Sequence, residues 1–328
     1  MAKAIAKVEG ASNVAQYAGI FGESLIERFV RFAGVKPASV VTYKKSLRQM
    51  LKYFAAAQIV APTREDLINW VADMRAAGKS ASTITLYTAA AKIFFRWLAQ
   101  ENVYANIADH LKTGVKVSRE HKKDAPTAEQ CAALVANVEV ISERRQKRNT
   151  LAELRDKAIL SLMTTAGLRT IEVVRANVGD VRFDRGKKFL HVQGKGHDEK
   201  DAKVLLANQT YRAIQAYLKA RGGKTQQSEP LFVSTSNRNK GGRMDTATIS
   251  RMVKKNLRGI GLDSPRLTAH SLRHATATNL IYAGVELAKV QMILRHSNVS
   301  TTMIYADAWE RYKNDGEQQL ADMIFGKE

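Results

Sequence analysis

A chain of 328 residues with 45% apolar and 25% charged side chains is long enough for about two domains, each able to bury a core. Its 52 Lys and Arg against 31 Asp and Glu leave a formal charge of +21, which points to a polyanionic partner, nucleic acid ahead of an acidic membrane surface. The single cysteine, Cys131, excludes an intrachain disulfide and a cysteine-built zinc site, and the seven histidines contain no H-E-x-x-H spacing of a metalloprotease.

Residues 1–20 are small and weakly patterned and read as a loose arm. The opening "MAKAIAKVEGASNVAQYAGIF" lacks the unbroken apolar stretch of a signal peptide. From 21 to 111 the spacing predicts four or five helices and no strand. "GESLIERFVRFAG" closes on Gly34, a helix stop. Over 37–57, Val40, Tyr43, Leu47, Leu51 and Phe54 recur at three- and four-residue steps and define one buried face. Thr63 with Asp66 opens a helix that ends at Gly78. "SASTITLYTAAAKIFFRWLAQ" repeats the logic through Ile84, Tyr87, Ile93 and Phe94. "KTGVKVSREHKKDAP", 112–126, is polar, basic and aperiodic, and reads as a linker.

Thr127 and Gln130 form a second capping box, and Cys131 behind them lies among apolar helix residues, a buried small side chain rather than a nucleophile. "DVRFD" and "KFLHVQG" alternate around the turn Asp184-Arg185-Gly186. With "AKVLLA" they predict a three-stranded antiparallel sheet at about 180–206. Helices dominate from there onward. The absence of β–α alternation and of internal repeats excludes a doubly wound sheet and a solenoid. The expected fold is mainly α with a small antiparallel β-sheet. No segment approaches the ~20 apolar residues that span a bilayer, so a cytoplasmic protein is expected.

Four stretches carry candidate chemistry. "TAHSLRHATATNL" sets His270 and Arg273 three apart on one helix face, between a cap at Thr268 and a stop at Gly284. Both then fall in the first two turns, where backbone N–H groups favour an anion; a core carboxylate of the protein would satisfy the pair equally. In "TTAGLRTIEVVRA" a helix stops at Gly167 and Arg169 precedes the next. A guanidinium at such a junction presents a fixed fork to phosphate oxygens, with Glu172 placed to hold it; a helix-capping arginine is the plainer alternative. "VQGKGHDEK" puts Lys195 between Gly194 and Gly196, where the backbone can come close to a ligand, although exposed hairpin lysines are common. In "LRHSNVSTTMIYADA", His296 leads into a polar turn and Tyr305 follows on a short helical segment, which alone reads as a half-buried tyrosine.

In this order and context Arg169, Lys195, His270-x-x-Arg273, His296 and Tyr305 resemble the signature of the tyrosine recombinases, the phage-integrase family. The matching stretches are "AGLRTIEV", "VQGKGHDEK", "TAHSLRHATATNL" and "MILRHSNVSTTMIYA", and the resemblance covers about 127–310. The helical region also resembles the family's SAM-like core-binding domain. The implied organisation is an arm at 1–20, a core-binding domain at 21–111, a linker at 112–126, an α+β catalytic domain at 127–310 and a C-terminal tail at 311–328.

The resemblance implies a site-specific DNA recombinase, an integrase that cuts and rejoins strands through a 3′-phosphotyrosyl bond without metal or other cofactor. Tyr305 would attack the scissile phosphate, and Arg169 and Arg273 would clamp its non-bridging oxygens. Lys195 would protonate the leaving 5′ oxygen, His270 would assist proton transfer at the tyrosine, and His296 would donate a hydrogen bond to the phosphate. The implied partner is double-stranded DNA with specific core sites, wrapped by a two-domain clamp and bridged by four protomers; an accessory protein is compatible, a membrane is not.

Lys44, Lys45, Arg48 and Lys92 are expected at phosphates, and Ser82 and Thr83 at base edges. The tail carries Leu320, Ile324 and Phe325, an apolar patch expected on a neighbouring subunit or on its own domain. "RRQKR", 144–148, and "SNRNKGGR", 236–243, are either backbone contacts or solvated loops. Two departures stand out: Arg295 occupies a position where Xer-type members usually carry glycine, and "ANIAD" lacks the family's frequent Asn-Pro. Both lean away from chromosome-dimer resolution and toward an integrase of a mobile element, phage or plasmid. The rivals are a type IB topoisomerase-like enzyme and an architectural DNA-binding factor without chemistry; an RNA-binding protein is disfavoured by the lack of an aromatic-rich sheet.

Overall fold

The structure is a computed structural model that describes residues 21–34, 37–115, 124–144, 150–194, 199–222, 225–296, 303, 305 and 314–326. The arm at 1–20, much of the linker, Lys195 and residues 145–148 of the first basic stretch lie outside the described residues. The chain forms two compact units, 1–118 and 119–328.

Among the described residues the first unit is all-helical: α1 (Glu23–Phe32), α2 (Pro37–Ala56), α3 (Arg64–Ala76) and α4 (Ala81–Gln100). The residues that start these helices do so by hydrogen bonding. Thr63 N donates to Asp66 Oδ2 at 2.7 Å while Asp66 N donates back to Thr63 Oγ1 at 3.4 Å, the reciprocal box that satisfies two orphan donors of α3. Ser80 caps α4 by accepting from Thr83 N. Of the expected face of α2, Leu47 and Phe54 are buried and Val40, Tyr43 and Leu51 half-buried, while Met50, outside that expectation, is buried as well. Phe29 sits at the centre, edge-on to Phe94 and Trp97 with ring centroids at 5.3 and 5.6 Å. Such aromatic contacts add about 0.5–1.5 kcal/mol each beyond area burial.

The second unit contains α5 (Ala128–Arg144), α6 (Leu151–Thr165), α7 (Thr170–Arg175), β1 (Val181–Asp184), β2 (Lys187–Val192), β3 (Ala202–Leu205), α8 (Asn208–Arg221), α9 (Thr246–Gly259), α10 (Ala269–Tyr282), α11 (Leu287–Leu294) and α12 (Gly316–Phe325). Helix α6 is the centre of its core. Ala158, Ile159, Leu160, Leu162 and Met163 are buried all round it, which is why that stretch shows no clean polar face. Thr127 and Gln130 exchange the predicted capping bonds at 2.9 and 3.2 Å. Cys131 is buried, and that burial pushes its thiol up to about 11, so it is inert at neutral pH.

The three strands pair antiparallel in sequence order, with Val181 opposite Leu190 and Leu190 opposite Val204. The hairpin turn places Arg185 and Gly186 at φ of 48° and 76°, the pair of positive angles that matches strand twist in a two-residue turn. A separate small cluster joins Ala277, Ile281, Val290, Leu294 and Tyr305, so α10 and α11 meet around the tyrosine. No helix among the described residues is long and apolar enough to cross a membrane.

Candidate active site

The site begins where α6 stops. Gly167 adopts φ of 59°, and a Cβ there would meet Leu294 Cδ2 at 2.5 Å, so both backbone angle and space call for glycine. The chain turns and Arg169 becomes the N-cap of α7. Glu172, three residues on and 1% exposed, accepts from Arg169 N at 2.9 Å and from Arg169 Nη1 at 2.8 Å. One buried carboxylate thus caps the helix and aims the guanidinium.

Arg273 sits on the inner side of α10 and is 2% exposed. Its Nη1 donates to Gly167 O at 2.6 Å and its Nη2 donates to Leu294 O at the end of α11. These two bonds pull the α6–α7 junction and the end of α11 onto one side chain. Burial lowers the Arg273 pKa to about 9, helped by the Arg169 and Arg295 charges and opposed by Glu172 and Tyr305, so the group stays charged at neutral pH.

The third guanidinium is Arg295. It ends α11 in the left-handed region, with φ of 55° and ψ of 49°, a conformation that glycine adopts without the ~1–2 kcal/mol penalty of a Cβ. Its Nη2 donates to Glu172 Oε2 at 2.8 Å and its Nη1 to Ile293 O at 2.6 Å. Glu172 is therefore gripped from two sides. Burial would push its carboxyl up, but the Arg295 charge, the Arg169 N–H and the Arg169 and Arg273 charges together hold it below the ordinary value. Three guanidiniums against one carboxylate leave the centre positive and suited to an anion.

His296 is half-buried beside this group, its backbone N–H donating to Gln291 O at 3.2 Å. Burial first, then the Arg273, Arg169, Arg295 and His270 charges, lowers its pKa to about 4; it is a neutral donor at pH 7. Tyr305 is 8% exposed. Burial raises its phenol pKa well above the ordinary value, and the Arg273 charge opposes the rise. His270 is exposed in the first turn of α10 and lines a recess of about 260 Å³ with Arg169, Leu168, Thr170, Ile171 and Ala269. The structure thus brings Arg169, Arg273, His296, His270 and Tyr305 into one electrostatic neighbourhood, while Lys195 lies outside the described residues.

Two participants escaped the sequence reading. Arg295 was visible only as a departure from glycine, and its contact with Glu172 is long-range. His274, 7% exposed, hydrogen-bonds Tyr305 Oη through Nδ1; its only signal was adjacency to Arg273. The cap of α10 also differs in detail. Thr268 holds the N-cap position, but the bond is its N–H donating to Ser271 Oγ at 3.0 Å, while its own hydroxyl, buried, finds no partner among the described residues.

The residues expected on DNA are mixed. Lys44 is bonded to Glu27 at 2.6 Å and Arg48 Nε to Glu23 at 3.0 Å, so both carry a local counter-charge on α1; Lys45 is exposed and Lys92 half-buried. Ser82 is exposed, whereas the Thr83 hydroxyl pairs with Ser80 Oγ at 2.8 Å within the α4 cap. In the second basic stretch Arg243 bonds Val174 O, Ala176 O and Asn177 Oδ1, a tie within the unit, while Arg238 and Lys240 are exposed.

Three arginines thus gather around one buried carboxylate beside a buried tyrosine, on a helical scaffold with one small sheet. The sequence profile of the phage integrase family matches residues 127–311, and that of the phage integrase N-terminal SAM-like domain matches 27–102. The chain belongs to the phage integrase family. It is 30% identical over 257 residues to tyrosine recombinase XerC of Corynebacterium glutamicum, covering 75% of this chain and 77% of that protein. To tyrosine recombinase XerA of Pyrococcus horikoshii it is 27% identical over 309 residues, 94% of this chain and 98% of the relative. The fold is shared with the XerH site-specific recombinase bound to palindromic difH substrate, at a TM-score of 0.67 and 19% identity over 95% of this chain and 85% of that one.

Proposed function

We propose that this chain is a site-specific DNA recombinase in which Tyr305 attacks the scissile phosphate and forms a 3′-phosphotyrosyl bond. The observation that carries this reading is the pair of hydrogen bonds that Arg273 donates to Gly167 O and Leu294 O, which gathers the Arg169 junction and the end of α11 beside Tyr305. Arg169 and Arg273 neutralise the non-bridging oxygens as charge builds on them; removing one such preorganised donor typically slows catalysis about 10²–10³-fold. His296, neutral at pH 7, donates to the same phosphate. Lys195 protonates the departing 5′ oxygen, and His270 assists at the tyrosine side. The phosphotyrosyl bond conserves the energy of the broken diester, so a 5′ hydroxyl from a second duplex reverses the step without a cofactor.

The division into arm, core-binding domain, linker, catalytic domain and tail supports a clamp on double-stranded core sites. Lys45 and Lys92 take phosphates directly, Lys44 and Arg48 exchange a glutamate for phosphate, Ser82 faces bases, and Thr83 joins it by exchanging its bond to Ser80 Oγ for a base edge. Helix α12 exposes Leu320, Met323, Ile324 and Phe325, with the last 85% exposed, and this patch supports docking on a neighbour in a tetramer. The enzyme works in the cytoplasm, for a mobile element, phage or plasmid.

The rival is topoisomerase-like relaxation. The test uses a core site recovered by sequencing covalent adducts formed on a randomised nicked-duplex library. A supercoiled plasmid with two such sites yields recombinant circles; loss of supercoils without exchange, on plasmids with or without the sites, identifies the topoisomerase instead. A chain lacking 316–328 still forms adduct but yields no recombinants; normal recombination would refute the tail's role.

A further inference from the structure

The histidine bonded to the tyrosine is not one of the six signature residues. His274 Nδ1 hydrogen-bonds Tyr305 Oη, and both side chains are shut away, at 7% and 8% exposure, with ring centroids 5.7 Å apart. His274 follows Arg273 directly in α10, so the backbone that fixes the phosphate clamp also fixes this imidazole. The tyrosine is packed among Ala277, Ile281, Val290 and Leu294, an apolar wall that holds the phenol in register with α10. His270, exposed one turn earlier, stands edge-to-face against His274 with centroids at 4.3 Å.

We propose that His274 is a catalytic residue, the base whose Nδ1 takes the phenolic proton as Tyr305 attacks phosphorus. The inference rests on Tyr305 being the nucleophile. In the step, the Oη–H bond breaks and Nδ1–H forms; Oη bonds phosphorus while the bond to the 5′ oxygen breaks, and that oxygen takes its proton from Lys195. His274 becomes imidazolium, with the exposed His270 ring beside it as the next imidazole toward solvent. On rejoining, a 5′ hydroxyl attacks, Tyr305 leaves and recovers its proton from His274, so the catalyst is restored. A buried phenol needs such an acceptor, because its high pKa leaves it protonated at neutral pH.

The test pairs His274→Asn with fluorinated tyrosine at 305. An Asn side chain keeps a hydrogen-bonding atom close to the place of Nδ1 but does not accept a proton. On the library-derived nicked duplex, His274→Asn binds DNA normally and forms adduct about 10²–10⁴-fold more slowly. Installing 3,5-difluorotyrosine, whose phenol is more acidic, shrinks that deficit at least tenfold. An Asn variant that cleaves at the wild-type rate, or a deficit unchanged by fluorination, overturns the proposal. A wild-type chain that forms no adduct at all sinks the recombinase reading instead, so the two failures are distinct. Should His274→Asn not fold, the ¹⁵N-histidine spectrum of the intact protein decides: an Nδ1 without hydrogen, shifted in Tyr305→Phe, supports the base, and an Nδ1–H tautomer overturns it.

Discussion

Arg295 shows how one residue can hold opposing forces. Its left-handed backbone opposes any side chain with a Cβ, while its guanidinium grips the buried Glu172. Arg295→Ala keeps the backbone penalty and loses the grip; Arg295→Gly loses the grip and relieves the backbone. The glycine variant should therefore be more stable than the alanine variant by about 1 kcal/mol in urea unfolding. Equal stability would show that the φ angle carries no penalty. His296 gives a pH signature. Its pKa falls from 6.5 to about 4 on folding, so the fold favours the neutral ring. That stability is fully present above 6.5 and is lost as pH drops toward 4. The melting temperature of the wild type should fall more steeply over this window than that of His296→Asn; parallel curves would remove the assigned shift.

At the scale of elements, the end of α6 and the end of α11 are one construction. A Cβ at Gly167 collides with Leu294, whose carbonyl receives Arg273. Gly167→Ala should destabilise the second unit by about 1–2 kcal/mol through φ alone, and should slow cleavage more than it weakens DNA binding. A variant that unfolds like wild type and cleaves at full rate would uncouple the junction from the arginine. Much of this architecture was legible in the chain. Capping boxes at Thr63 and Thr127, the face of α2 and the hairpin at Arg185-Gly186 are local, and local hydrogen bonds and periodicity encode them. Glu172 was readable as a hold on Arg169 because it lies three residues away, on the same turn. The bonds that assemble the site are not local: Arg273 to Gly167 and Arg295 to Glu172 each span more than a hundred residues. The His274–Tyr305 contact spans 31 residues and depends on where the chain beyond α11 brings Tyr305 against α10, which no spacing reveals. The counter-charges on Lys44 and Arg48 escaped for the same reason, since Glu27 and Glu23 belong to a different helix.

For the whole molecule, a charge of +21 and two units that both carry exposed cations support binding through many phosphates. A clamp making ~6–10 phosphate contacts loses about 10³–10⁵ in affinity between 50 and 200 mM salt. Titrations of a labelled core-site duplex across that range should show this slope. A change of tenfold or less would mean that only a few phosphates are engaged, and that the first unit does not help to wrap the duplex.

If Tyr305 is the nucleophile held beside an arginine-built phosphate site, a nicked core-site duplex, from which the short cleaved strand diffuses away, traps the protein covalently, and a denaturing gel reads the product. The wild type should appear as a protein–DNA band resistant to denaturant, while Tyr305→Phe binds the duplex in native gels and gives no such band. A covalent band from Tyr305→Phe would show that another side chain makes the bond and that Tyr305 is not the nucleophile.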